Sequence, residues 1–278
     1  MSSQSLSWNT ADGLELSGRV WEPLAPPRAV LCLVHGLGEH IGRYQHVGQK
    51  MTDVGLALMG FDLRGHGRSQ GQRGHSSSYD HLMADIDELL RQAEGRFPKV
   101  PQFLYGHSLG GNLVLCYLLS RRPQISGAVV TAPFLAAAFE PPAWKLILGQ
   151  LLYNLVPSFV MSNSLDPQGL SRDPAVAQAY TSDPLVHDRV SARLGLDMIN
   201  HGKRLTEQAD QLTVPLLLMN GSDDPIVSPQ ACQAFAACAP ADTAYHQWSG
   251  LLHELHNETE QDEVLQTIIA WVGDRLAT

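Results

Sequence analysis

Short apolar runs that alternate with helical patterns constrain the fold of this 278-residue chain most strongly. Each run is nearly continuous in apolar residues, as expected for a strand buried on both faces. The runs cover residues 29–34, 56–61, 102–105, 127–131 and 215–219, with a last strand at 244–248. Helical periodicity follows at residues 79–94, 111–121 and 260–275. The alternation predicts a mostly parallel sheet with helices on both faces, preceded by an antiparallel hairpin that pairs residues 5–10 with 14–21.

Residues 135–212 interrupt this alternation. They show helical patterning broken by prolines and turn residues, with no clear strand. We therefore expect a helical insertion, called the cap below, between two core parts, residues 1–134 and 213–278. An apolar stripe in the cap is expected to pack on the core. A second interpretation, which does not exclude the first, is that part of the stripe lines a substrate tunnel or touches a lipid surface. The stripe consists of Trp144, Ile147, Leu148, Leu151, Leu152, Leu155 and Phe159.

A G-x-S-x-G pattern lies where a predicted strand gives way to a predicted helix. It reads Gly106-His107-Ser108-Leu109-Gly110, and this strand–turn–helix setting is typical of a nucleophile elbow. Glycine is required at both ends because a Cβ would collide with the neighbouring strand or helix. The turn would hold Ser108 in a strained backbone conformation. Ser108 is the candidate nucleophile.

A serine becomes a nucleophile when a base removes its proton and a third group orients that base. With this elbow, the chain order is serine, acid, histidine. Asp223 and Asp224 both follow the run 215–219, and the pattern G-x-x-D-x-x-V favours Asp224 as the acid. His253, which follows the last strand after a short glycine loop, is the candidate base, and His256 is its rival. The two histidines are three residues apart, whereas a zinc-binding H-E-x-x-H needs four, so no metal site is expected.

Two backbone N–H groups are candidates for an oxyanion hole. One belongs to Leu109, directly after the nucleophile. The other belongs to Leu37, in the loop that follows the first central strand, where glycines allow the backbone to approach a reacting carbonyl. His35 and His107 are expected to hold their loops in place rather than to transfer protons.

Composition narrows the possible partners and compartment. A formal net charge of -9 argues against nucleic acid or an anionic membrane as a main partner. The cysteines, which show no metal-ligand spacing, are expected to be buried free thiols in a reducing compartment. No signal peptide and no apolar run long enough to cross a bilayer is visible, which predicts a cytoplasmic protein. No cofactor is expected. The four cysteines are Cys32, Cys116, Cys232 and Cys238.

Several longer motifs resemble those of monoglyceride lipases and their lysophospholipase-like relatives. Residues 35–44 are similar to H-G-x-G-E-H-x-x-R-Y, and residues 61–69 contain D-x-x-G-H-G-x-S. The elbow resembles G-H-S-M-G-G with leucine in place of methionine. In the cap, residues 180–185 match Y-x-S-D-P-L, and the segments around Asp224 and His253 match as well. The resemblance implies an α/β-hydrolase fold with a helical cap.

The resemblance also implies an activity: hydrolysis of a monoacylglycerol ester to fatty acid and glycerol through an acyl-enzyme. It implies that Glu39, Arg43, Tyr180 and His256 surround the polar glycerol end of the substrate. For Glu39 and Arg43 the alternative is an ion pair that braces the oxyanion loop. The expected partner is a small amphipathic lipid ester, with possible transient contact between the cap and a membrane or micelle.

Other activities stay open at this level. A lysophospholipase or a general carboxylesterase would use the same residues, because the sequence does not define the head-group. A peptidase of the proline-iminopeptidase kind shares the fold, and a non-catalytic binding homologue would be expected to lack part of the triad. Haloalkane and epoxide hydrolases are excluded, because they would need an aspartate at the position of Ser108.

Overall fold

The computed structural model describes residues 2–139 and 143–277, so residues 140–142 of the cap lie outside the described part. It contains one large sheet and one short pair of strands. The strands are β1 (Ser2–Asn9), β2 (Glu15–Glu22), β3 (Val30–Val34), β4 (Ala57–Phe61), β5 (Gln102–His107), β6 (Gly127–Thr131), β7 (Val160–Ser162), β8 (Arg189–Ser191), β9 (Leu216–Gly221) and β10 (Thr243–Trp248). The helices are α1 (Gln45–Asp53), α2 (Tyr79–Arg96), α3 (Leu109–Arg121), α4 (Ala143–Leu155), α5 (Pro174–Ser182), α6 (Ala192–Glu207), α7 (Pro229–Cys238) and α8 (Gln261–Leu276).

The large sheet has the order β1-β2-β4-β3-β5-β6-β9-β10. All neighbours from β4 to β10 are parallel, and β1–β2 and β2–β4 are antiparallel. The predicted N-terminal hairpin is confirmed, with Trp8 paired to Leu16. Because parallel strands carry their carboxyl ends at the same edge, the loops after β3, β5, β9 and β10 meet there.

Two apolar clusters cover opposite faces of the sheet. Along β3, Val30, Cys32 and Val34 belong to one cluster and Leu31 and Leu33 to the other, which is the alternation expected of a strand buried on both faces. Helices α2, α3, α6 and α7 contribute to the first cluster, and α1 and α8 to the second. The expectation of helices on both faces is confirmed.

The inserted segment between β6 and β9 is not purely helical. Besides α4, α5 and α6 it contains the antiparallel pair β7–β8, in which Met161 faces Val190. The expectation of no strand there was wrong, because strands of three residues are too short to show a periodic pattern. The division into a core and a cap at residues 135 and 212 stays a prediction.

The apolar stripe of the cap is largely exposed rather than packed on the core. Ile147 is 70% exposed and Leu151 is 54% exposed, so packing on the core was the wrong expectation for most of the stripe. Helical spacing places these residues on one face but does not say what covers that face. None of the helices within the described residues is long and apolar enough to cross a membrane.

We predict different stability costs for two leucines in neighbouring parts of the chain. Leu16 in β2 is fully buried, and Leu24 after β2 is 94% exposed. Leu16→Ala should lower the free energy of unfolding by about 2–5 kcal/mol through lost burial and a residual cavity. Leu24→Ala should change it by less than about 0.5 kcal/mol. Guanidinium unfolding of both variants measures the difference, and equal effects would contradict the burial assignment.

Candidate active site

The elbow holds Ser108 by close approach of three backbone segments. Ser108 has φ +56° and ψ −117°, a region that non-glycine residues rarely adopt. A Cβ at Gly106 would lie 2.5 Å from the carbonyl oxygen of Gly110, and a Cβ at Gly110 would lie 1.9 Å from that of Val34. Larger residues would therefore push α3 away from β5 and β3. The Ser108 N–H donates a hydrogen bond to the Thr131 carbonyl at 3.0 Å, which holds the backbone at this turn.

The structure brings Ser108, His253 and Asp224 together. Nε2 of His253 lies 3.0 Å from Oγ of Ser108, and Nδ1 lies 2.7 Å from Oδ2 of Asp224. The other carboxylate oxygen of Asp224 accepts the N–H groups of Ile226 and Val227 at 2.8 and 3.0 Å. These bonds hold the carboxylate in place. Its rival Asp223 instead accepts the Ser222 hydroxyl and does not reach the histidine.

The environment of His253 favours a protonated ring. Burial of the imidazole opposes its charge, but the adjacent Asp224 carboxylate outweighs burial and raises the pKa of His253 above its ordinary value. The neighbouring His107 ring lies 4.9 Å from His253, between centroids. Burial lowers the pKa of His107 well below its ordinary value, so this ring stays neutral. His253 is therefore the ring in this pair suited to take up a proton.

The loop after β3 lies directly against the nucleophile. A Cβ on Gly36 would be 3.2 Å from Cβ of Ser108, and Leu37 lines the same cavity as Ser108. Leu109 is the first residue of α3. His35 accepts the N–H of Leu63 at Nε2, which leaves Nδ1 to donate to the Gly36 carbonyl at 2.8 Å. His35 thus holds this loop.

A buried ion network joins that loop to the histidine loop. Arg43 donates to both oxygens of Glu254 at 2.5 and 2.7 Å, and to Glu39 at 2.9 Å. The other oxygen of Glu39 accepts the N–H of Gly36 at 2.6 Å and the Tyr44 hydroxyl at 2.9 Å. Burial alone would raise the pKa of Glu254, but the guanidinium outweighs it and lowers that pKa to about 2.

A cavity of about 630 Å³ opens over Ser108. Its polar lining near the nucleophile includes Glu39, Tyr180 and Glu254. The Tyr180 ring lies under the Arg43 guanidinium, 4.9 Å from its centroid. The remaining lining has more apolar than polar surface, and its apolar members come from the cap and the loops after β6 and β9: Phe134, Ala137, Phe139, Leu165, Leu170, Val190, Met198, Ile199, Pro225 and Ile226. Its polar members are Asn163, Ser164, Asp166, Gln168 and Asp223.

Two of the four residues expected around a glycerol group do not line this cavity. Arg43 lies behind Glu39 and Glu254, in the bracing ion pair that was its alternative role. His256 is fully buried, with its ring stacked on Tyr44 at 4.6 Å. Burial lowers the pKa of His256 to about 3. Among the described residues, neither of its ring nitrogens has a hydrogen-bond partner.

The sequence reasoning missed the contribution of Glu254. The available signal was an acidic residue directly after a candidate catalytic histidine, together with the arginine of the E-H-x-x-R segment. Pairing them requires knowing that the loops after β3 and β10 meet.

A second missed link joins His40 of the oxyanion loop to Asp183 of the cap at 2.8 Å. Within residues 2–139 and 143–277, no cluster of His, Cys, Asp or Glu is arranged to hold a metal.

Comparisons with known proteins show which families the whole chain resembles. A family model described as serine aminopeptidase, S33, matches residues 25–260. The chain is 33% identical to the monoacylglycerol lipase of Mycolicibacterium smegmatis, covering 95% of each chain. It is 39% identical to an uncharacterized abhydrolase domain-containing protein of Dictyostelium discoideum, over 96% of this chain but only 28% of that longer protein. The crystal structure of Paleococcus ferrophilus monoacylglycerol lipase superimposes with a TM-score of 0.84 at 32% identity, covering 99% of this chain and 100% of that one.

Sheet order, elbow and these similarities define an α/β-hydrolase, which confirms the fold expected from the sequence. More specifically, the chain belongs to the serine aminopeptidase S33 family. The resemblance to monoglyceride lipases is also confirmed, by relatives that match nearly the whole chain.

The raised pKa of His253 predicts the pH dependence of ester hydrolysis. A general base works unprotonated, so kcat/KM should fall as the pH drops through a pKa above 6.5, the ordinary histidine value. Asp224→Asn removes the carboxylate that stabilises the imidazolium and holds its tautomer. In the variant, the acid limb of the pH–rate profile, where kcat/KM falls with falling pH, should move to lower pH. The rate on the plateau above it should fall by about 10⁴-fold. A pH–rate profile with a soluble nitrophenyl ester checks both. An unmoved acid limb in the variant would argue against the pairing.

Proposed function

We propose that this protein is a serine hydrolase that cleaves carboxylic esters through an acyl-enzyme. The observation that carries the proposal is the continuous chain of hydrogen bonds from Ser108 through His253 to Asp224. In this mechanism His253 accepts the Ser108 proton as Oγ attacks the ester carbonyl, and then donates a proton to the leaving alcohol. Water enters next, and His253 takes one of its protons as the water oxygen attacks the acyl carbonyl. The bond between the acyl carbon and Oγ then breaks, His253 returns the proton to Oγ, and the acid is released. Asp224 holds the imidazole tautomer throughout.

The oxyanion of each tetrahedral intermediate would be stabilised by the N–H groups of Leu37 and Leu109. Donors held in position before the reaction stabilise developing charge without reorganising. The contact of Glu39 with the Gly36 N–H and the hydrogen bond from His35 to the Gly36 carbonyl support a rigid loop at this point. Leu109 is at the N-terminus of α3, where the helix dipole also favours negative charge.

We propose monoacylglycerols as the substrate class. The relatives from Mycolicibacterium smegmatis and Paleococcus ferrophilus are named monoacylglycerol lipases. The cavity here combines an apolar wall with a few polar groups near Ser108, as suits an acyl chain attached to a small polar alcohol. Glu39 and Tyr180 are the residues we assign to the glycerol end. Arg43 would act on that end through Glu39 and Glu254, which it holds in place.

We expect Ser108→Ala to abolish hydrolysis of monoacylglycerols, with a loss of about 10⁶-fold in kcat. The assay measures glycerol and fatty acid release from monoacylglycerols of several chain lengths. Lysophosphatidylcholine and short nitrophenyl esters run beside them and separate lipase from lysophospholipase and general esterase activity. Wild-type turnover by the alanine variant would refute the nucleophile assignment. A fluorophosphonate probe should label Ser108 and no other residue.

An aminopeptidase is the second candidate, because the matching family model is described as serine aminopeptidase, S33. The same triad could cleave an amide bond if the cavity bound an N-terminal amine. A proline anilide assay separates the two activities. We expect ester turnover to exceed anilide turnover, since the cavity wall is mainly apolar.

We propose that the cap touches a lipid surface through its exposed apolar face. In the same segment, Phe139 both lines the cavity and is 60% exposed. The residues named for this face are each at least 36% exposed, and an exposed apolar patch of this kind marks an interaction surface. Its other exposed members are Ile147, Leu148, Leu151, Leu155, Val156, Phe159 and Met161.

Removing apolar area from this face should weaken vesicle binding. In a flotation assay with phosphatidylcholine vesicles, the double variant Ile147→Ser/Leu151→Ser should bind at least about tenfold less than wild type, because it loses apolar contact area. Leu24→Ser is the matched control, since Leu24 is exposed elsewhere and should leave binding unchanged. Turnover of a soluble ester should be the same in all three proteins. Equal vesicle binding by the double variant would refute the lipid-contact proposal.

We also propose a cytoplasmic location. All four cysteines are free thiols, and three of them are buried as expected, whereas Cys238 is exposed, so the expected burial was wrong for Cys238. Free thiols suit a reducing compartment.

A further inference from the structure

The segment that carries His253 is held by three hydrogen bonds from different parts of the fold. The Leu251 carbonyl accepts the N–H of Asp223 at 3.1 Å. The Leu252 N–H donates to Oε1 of Glu258 at 2.7 Å. On the other side of the histidine, the Glu254 N–H donates to a carbonyl of the cap, that of Leu170, also at 2.7 Å. The residues before and after His253 are thus both tied down.

Glu258 is unusual among these partners because it is fully buried and acidic. While Oε1 accepts the Leu252 N–H, Oε2 faces the cap. Oε2 lies 3.1 Å from Nε and 3.3 Å from the backbone N–H of Arg172, and 3.4 Å from the Ser171 hydroxyl. A buried carboxylate is costly unless it is paired and hydrogen-bonded. The hydrogen bonds from the His253 loop and from Arg172 and Ser171 offset that cost here.

We propose that Glu258 is a positioning residue for the catalytic base. It joins the His253 loop to residues 171 and 172 of the cap and thereby sets the distances from His253 to Ser108 and Asp224. Glu258 does not line the described cavity, so it acts on the reaction through the histidine and not on the substrate. The inference rests on the proposed role of His253 as the base.

The test compares Glu258→Ala with Glu258→Gln on a short nitrophenyl ester. The alanine variant should lose about 10²-fold in kcat with KM nearly unchanged, since a shift of the base by about 1 Å has an effect of that size. Its acid limb should move to lower pH, because a loosened His253 gains less from Asp224. The glutamine variant should lose less than the alanine variant, because its Oε1 can still accept the Leu252 N–H, whereas its amide nitrogen cannot accept the hydrogen bonds from Arg172 and Ser171.

Two further variants separate positioning from stability alone. Leu16→Ala, a core change in β2, should lower the unfolding midpoint without moving the acid limb. Glu258→Asp keeps the charge but is one methylene shorter, so it should behave like the alanine variant and replaces it if the alanine variant does not fold.

The proposal would be overturned if Glu258→Asp, measured well below its unfolding temperature, had the same kcat as the wild type and the same acid limb in its pH–rate profile. Equal losses in the glutamine and aspartate variants would overturn it as well. The nitrophenyl ester has no glycerol group, so neither result depends on the monoacylglycerol assignment. The rate at which a fluorophosphonate labels Ser108 in each variant measures the reactivity of the nucleophile without any substrate turnover.

Discussion

The arrangement of the site depends on one buried guanidinium. The oxyanion loop follows β3, a central strand, and the histidine loop follows β10, an edge strand, with β5, β6 and β9 between them. Arg43 joins them by pairing with Glu39 and Glu254 at the same time. Such a buried network is stable only where every charge is paired and hydrogen-bonded, and breaking it leaves charges uncompensated. The two halves of the site are therefore held at a defined separation.

Local strain at Ser108 is tolerated because its surroundings leave it no alternative. A positive φ at a residue with a Cβ costs on the order of 1–3 kcal/mol and persists only where neighbouring structure over-determines it. Here β3, β5, β6 and α3 all contact the elbow within a few ångströms. Strain, close packing and the exposure of one hydroxyl to the cavity are consequences of the same turn.

The inserted segment contacts both loops of the site. His187 donates its N–H to the Gly38 carbonyl of the oxyanion loop at 2.9 Å, and Leu170 accepts the N–H of Glu254. The same segment supplies most of the apolar cavity wall and the exposed apolar face. Substrate access and the geometry of the proposed catalytic groups are thus linked through a single stretch of chain.

The sequence by itself determined the strands of the large sheet, three of the helices that cover the sheet, and the elbow, because these depend on short-range periodicity and on glycine positions. It also limited the acid to Asp223 or Asp224 and the base to His253 or His256. Only the tertiary structure decided which histidine reaches Ser108 and which aspartate reaches that histidine, since both depend on how loops from separate strands meet. The exposure of the cap stripe and the burial of His256 were likewise decided there. Periodicity places side chains on a common face, but burial depends on what the rest of the chain packs against that face.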